Sequence, residues 1–152
     1  MAFQLTIAGF AEGASIPQRH TCDGQDLSPA VSWSGAPGDT GSYALIMDDP
    51  DAPAGTWNHW LLCDLAASTQ SLAEGFRPGQ SGVSGTNDFG RPGYGGPCPP
   101  RGHGPHRYYF KLFALNVASL GLKAGAKRGE LDRALKGRVV AEAQYMGRYE
   151  RK

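Results

Sequence analysis

At 152 residues the chain is long enough for one buried core, and 15 Lys and Arg against 14 Asp and Glu leave a formal charge of +1. No global field then recruits DNA, RNA or an acidic membrane, so any recognition of an anion must be local. With 22 Gly and 11 Pro in a chain that is 40% hydrophobic, turns come too often for long helices, and strands are favoured.

Phe3-Gln4-Leu5-Thr6-Ile7 alternates apolar and polar side chains and predicts a first strand over residues 3–7. It has no basic start and no long apolar run. No later stretch approaches a membrane span either, so a cytoplasmic protein without membrane insertion is expected. Further strands are predicted over 30–33, 42–47, 59–65, 108–115 and 139–145, each rich in aliphatic or aromatic residues and bounded by turn formers. One short amphipathic helix is predicted over 127–136, where Leu131 and Leu135 recur at i and i+4 and Gly137 supplies a stop. Strands followed by a single late helix, without βαβ alternation, predict a mainly β, antiparallel sandwich comprising one domain over 1–152.

The Gly- and Pro-rich stretch 75–105 has the composition of a disordered segment but carries Phe76, Phe89 and Tyr94. Disordered stretches are poor in aromatic residues, so an ordered functional loop is expected here. Cys22, Cys63 and Cys98 are three and widely spaced, with no C-x-x-C pair. At least one thiol stays unpaired within the chain, which fits a reducing compartment, while a single disulfide between two of them remains open.

Asp48-Asp49-Pro50-Asp51-Ala52-Pro53 ends a hydrophobic strand with three carboxylates on a proline-stiffened corner. For Asp48 and Asp51, capping of local N–H groups and a functional role weigh equally. His59 and His106 each stand at the start of an apolar strand beside turn-forming residues. If they converge at one rim of the sandwich, their N–H groups suit a phosphate or carboxylate, and Asp49 can fix a tautomer. Arg101 and Arg107 fit solvated surface positions better than ligand contacts. The glycines of 93–102 let backbone N–H groups approach an oxyanion, but the Lys-Ser/Thr of a nucleotide P-loop is missing. Cys98, between prolines, reads as a loop cysteine rather than a nucleophile. His59, His103 and His106 match no zinc spacing, so neither a metal nor a cofactor is expected.

Taken together, Thr21-Cys22-Asp23-Gly24, Ser28-Pro29, Asp49-Pro50-Asp51-Ala52-Pro53, Asn58-His59-Trp60 and Gly104-Pro105-His106-Arg107-Tyr108 resemble the phosphatidylethanolamine-binding protein family, in its bacterial YbhB/YbcL or Raf-kinase-inhibitor-like branch. The resemblance implies a Greek-key β-sandwich with a small anion pocket at one end, a cis peptide near the Asp-Pro block, and a homodimer. Carried over by position, Asp49, His59 and His106 match the pocket, with Tyr108, Pro53, Pro99, Pro100 and Trp57 as walls. The chain departs from the pattern at His20, before the Thr-Cys-Asp-Gly block, and at Gly137-Arg138. The implied function is binding of a phosphate, phosphomonoester or carboxylate, with a protein partner by analogy to the kinase-inhibitor branch. The alternative is an enzyme in which the same histidines, tuned by Asp49, transfer protons during hydrolysis, cyclisation or addition on a small metabolite.

Overall fold

In a computed structural model, residues 2–152 are described. The strands are β1 (Gln4–Ile7), β2 (Val31–Ser34), β3 (Ser42–Asp49), β4 (Trp57–Ala66), β5 (Ser71–Leu72), β6 (Val83–Ser84), β7 (His106–Leu115) and β8 (Val139–Tyr149); one α-helix, α1 (Arg128–Leu135), precedes β8. They form two antiparallel layers, a three-stranded sheet in the order β1-β2-β5 and a five-stranded sheet in the order β6-β4-β3-β7-β8. The six strands expected from periodicity are all present. The two they omit, β5 and β6, have two residues each, too few to show any period.

Alternation in β1 and β2 buries Leu5, Ile7, Val31 and Trp33 against the larger sheet. β3 is buried along its whole length, because its sheet is covered on both faces. Tyr43, Leu45 and Met47 enter the inter-sheet core, whereas Ala44 and Ile46 meet Leu131 and Leu135 of α1 on the opposite face. The helix begins where Lys127 N–H donates to Glu130 Oε1 (3.2 Å) and stops before Gly137, whose φ is +77°. Its observed span is one residue shorter at each end than expected, Lys127 and Lys136 being the caps.

The segment 75–105 packs closely onto the sandwich. β6 pairs with β4, and Phe76 and Tyr94 lie against Trp60 at ring separations of 6.2 and 5.4 Å. The buried Asn87 ties the loop to itself: its Nδ2 donates to Gly93 O (3.0 Å), and its Oδ1 accepts from the Phe89 and Arg91 amides. Gly96 is required by contact, because a Cβ there would stand 2.1 Å from His20 O. No helix among the described residues is long and apolar enough to cross a membrane. No peptide bond among them is cis, so the cis peptide implied by the resemblance is corrected to trans at the Asp-Pro corner.

Candidate functional site

β3 ends at Asp49, β4 begins at Trp57 and β7 begins at His106, so antiparallel pairing gathers these three termini at one end of the larger sheet. They surround a cavity of about 180 Å³. All eight residues expected at the site line it: Asp49, His59, His106 and Tyr108 as polar groups, and Pro53, Trp57, Pro99 and Pro100 as walls. Ala52, Phe89 and Cys98 complete the lining.

Asp49 faces the cavity because residues of β3 alternate, and it continues the side taken by Leu45 and Met47. His59 does not follow alternation. Met47 pairs with Trp60 and Asp48 with Asn58, which leaves His59 as an extra residue in a β-bulge. A bulge turns two consecutive residues toward one face; His59 lines the cavity while Trp60 enters the adjoining core.

The two histidines are held differently. His59 is buried and donates from Nδ1 to Gly95 O (2.6 Å), so in its neutral form Nε2 carries the lone pair. Burial pushes its pKa below the ordinary imidazole value. Two rings meet it edge-on, Phe89 at 5.4 Å and Tyr108 at 5.2 Å, and Trp57 in turn packs edge-on against Phe89 at 5.5 Å. His106 donates from Nδ1 to Asp49 Oδ2 (2.6 Å), and its Nε2 lies 2.6 Å from Nδ1 of His103. Asp49 Oδ1 accepts the Asp51 amide at 2.7 Å, so both carboxylate oxygens are used inside the protein. Burial, reinforced by Asp49, raises the Tyr108 pKa and keeps its hydroxyl protonated.

The remaining candidates fall outside the cavity. Asp51 accepts a bidentate pair from Arg107 (2.8 and 2.9 Å) and also the Arg107 amide (2.9 Å); this guanidinium holds its pKa down at about 2. Arg107 is thereby committed to the surface, and Arg101 is exposed with Nη1 3.4 Å from Lys152 O. Asp48 faces α1, where Lys111 Nζ (3.1 Å) and Arg128 Nη1 (2.9 Å) neutralise it. Arg128 also donates to Asn58 Oδ1, and Asn58 in turn donates to Asp88, which anchors the loop beside Phe89. His20 is buried with Nδ1 against Leu27 O, and it does not line the cavity. Among the described residues, no group of three or more His, Cys, Asp or Glu side chains is gathered as a metal ion requires.

Cys22 and Cys98 form a disulfide with Cα atoms 5.4 Å apart, leaving Cys63 as the buried free thiol. A thiol nucleophile at Cys98 is ruled out by that bond, and the odd cysteine count carries no weight for the compartment. The bridge ties the Thr21-Cys22-Asp23 segment to the wall formed by Pro99 and Pro100. Phe89 was legible only as a sign of order in its loop, and nothing local in the sequence assigns its ring to the wall. His103, which from its sequence position suggests at most a metal ligand, has another imidazole as its partner.

Residues 6–150 match the phosphatidylethanolamine-binding protein family. A UPF0098 protein of Aquifex aeolicus is 52% identical over 145 residues, covering 93% of this chain and 85% of the relative. Among solved structures, a phosphatidylethanolamine-binding protein homologue from Chlamydia trachomatis superposes with a TM-score of 0.91 at 38% identity, covering 99% of each chain. YbcL of E. coli, described as a member of the mammalian family, gives 0.92 at 32% identity and covers 100% of both. With this similarity running through both sheets and the cavity, the chain belongs to the phosphatidylethanolamine-binding protein family, in the branch that contains YbcL.

Proposed function

We propose that the protein binds a small anion, a phosphate, phosphomonoester or carboxylate, in the cavity at the end of β3, β4 and β7. The observation that carries this reading is the convergence of His59, His106, Tyr108 and Asp49 on one floor beneath walls of Pro53, Trp57, Phe89, Pro99 and Pro100. A site of a few oriented polar groups within apolar walls suits a compact ligand with one charged end. Hydrogen bonds to an anion are strengthened where water is scarce, and the Tyr108 hydroxyl, kept protonated, is a donor there. The test is thermal unfolding with and without phosphate. At a concentration about 100 times Kd, stabilisation of about 2.7 kcal/mol raises Tm by roughly 5–10 °C. The rise is lost in His106→Ala; an equal rise in wild type and variant refutes the assignment.

The enzymatic reading draws on one observation, the 2.6 Å contact that orients His106 on Asp49, an arrangement also used by general bases. Turnover of a candidate metabolite that disappears in both His59→Ala and His106→Ala supports it. Saturable binding without product supports binding alone.

A further inference from the structure

His106 has no free nitrogen. Nδ1 donates to Asp49, and Nε2 is met by His103 Nδ1 at 2.6 Å, with the two ring centroids 4.8 Å apart. An N···N contact of this length is a hydrogen bond carrying a single proton, since one nitrogen must donate and the other accept. The two members differ in their settings. His106 is 1% exposed, whereas His103 is exposed on a turn between Gly102 (φ +74°) and Gly104 (φ +87°). A Cβ on either glycine would meet nothing within 4 Å, and although the Gly102 and His103 amides hold the turn on Arg151 O (2.8 Å) and Pro100 O (3.2 Å), the exposed His103 ring has room to turn about its own side-chain bonds.

We propose that His103 is the third imidazole of the anion site: an arriving anion enters between His103 and His106 and accepts a hydrogen bond from each. This rests on the anion-binding reading above. In the present contact the pair shares one proton, but an oxygen lying between Nε2 of His106 and Nδ1 of His103 needs an N–H from both. The missing proton is taken from a buffer acid, and no other bond changes. Two N–H···O bonds of ordinary length require the nitrogens to part by about 2 Å, a displacement that turning the exposed His103 side chain supplies.

The charge balance supports the same arrangement. Asp49 places a negative charge beneath the site, and His59 is kept neutral by burial. Neither His59 nor Tyr108 brings a positive charge to offset that carboxylate. The Asp51 charge near His106 is already closed by Arg107. Tyr149, the cross-strand partner of His106, is uncharged, and Arg101 on the His103 turn is exposed. The one proton gained by the pair makes His106 the imidazolium that offsets Asp49, and the neutral His103 ring adds its Nδ1–H as a second donor to the guest.

Histidine ring signals followed by NMR during a phosphate titration at about pH 7.5 test this, with the Trp57 indole N–H as an independent marker of occupancy. His106 is expected to move to an imidazolium position, and the His103 signals to shift as its Nδ1–H changes acceptor, both along the same saturation curve as Trp57. Calorimetry should show His103→Ala binding phosphate about 10-fold more weakly than wild type, one charged-site hydrogen bond having been lost. Saturation at Trp57 and His106 with His103 unmoved, or equal phosphate affinity in wild type and variant, overturns the role of His103 while the anion site stands. No response at Trp57 or at any histidine overturns both.

Discussion

Asp48 and Asp49 are consecutive in the chain, yet their carboxylates lie on opposite faces of the larger sheet. Asp48 closes on Lys111 and Arg128 beneath α1, and Asp49 closes on His106 at the cavity floor. Both are buried, 2% and 3% exposed. Strand alternation alone separates a carboxylate that fastens the helix from one that orients an imidazole.

Replacing each in turn should separate stability from binding. Asp49→Ala removes the acceptor for the Asp51 amide and for His106, and is expected to cost about 3 kcal/mol and abolish stabilisation by phosphate. Asp48→Ala leaves Lys111 and Arg128, both partly solvated, and is expected to cost about 1–2 kcal/mol with the phosphate response intact. Chemical denaturation with and without phosphate reads both quantities. Loss of the phosphate response in Asp48→Ala would contradict the division of faces.

Burial depresses the pKa of His59 below its ordinary value of 6.5. The unfolded chain therefore binds a proton that the folded chain refuses between those two values, and stability falls as pH drops below about 6.5. The slope from this group is at most about 1.4 kcal/mol per pH unit. In His59→Gln that acid slope should shrink, as measured by Tm between neutral and mildly acid pH. An unchanged slope would remove His59 from the account.

The Cys22–Cys98 bridge spans a sequence separation of 76, and closing a loop of that length stabilises by about 4.5 kcal/mol in the chain-entropy account. Cys22→Ser/Cys98→Ser should lower Tm by roughly 10 °C. Thiol titration of the unreduced protein in denaturant should find Cys63 alone. In the native state Cys63 should react slowly, because burial pushes its pKa up to about 12. Three reactive thiols in the unreduced, denatured protein would show the bridge to be absent.

Gly95 controls a wall as well as the His59 hydrogen bond. A Cβ at this position would stand 2.5 Å from the Phe89 ring, so Gly95→Ala must displace that ring from the lining. Phenyl phosphate should lose affinity by about 10-fold, since the apolar contact is worth roughly 1–1.5 kcal/mol, while inorganic phosphate changes little. Equal losses for both ligands would show that the substitution acts through His59 instead.

The sandwich was legible because its longer strands carry their own period: β1 and β2 alternate visibly, and β3, covered on both faces, reads as a continuous apolar run. Asp49, His59 and His106 were legible as types of residue at strand ends, and the resemblance added the proline walls. Three features were not legible. The inward turn of His59 depends on a bulge defined by pairing with β3, and register lies between strands rather than within one. Phe89 reaches the wall through a turn organised by Asn87, whose buried amide is defined by its partners. The choice of Cys22 and Cys98 from three cysteines is a question of distance in space, as is the meeting of His103 with His106.

Since Cys22 is bonded to Cys98, a protease that cuts the exposed stretch around Pro78, Gly79 and Gln80 would sever the polypeptide without releasing a fragment. The two halves would migrate as one species until a reductant parted them. Each half would carry part of the cavity, His59 on the amino-terminal piece and His106 on the other, so a nicked molecule could still present the whole floor.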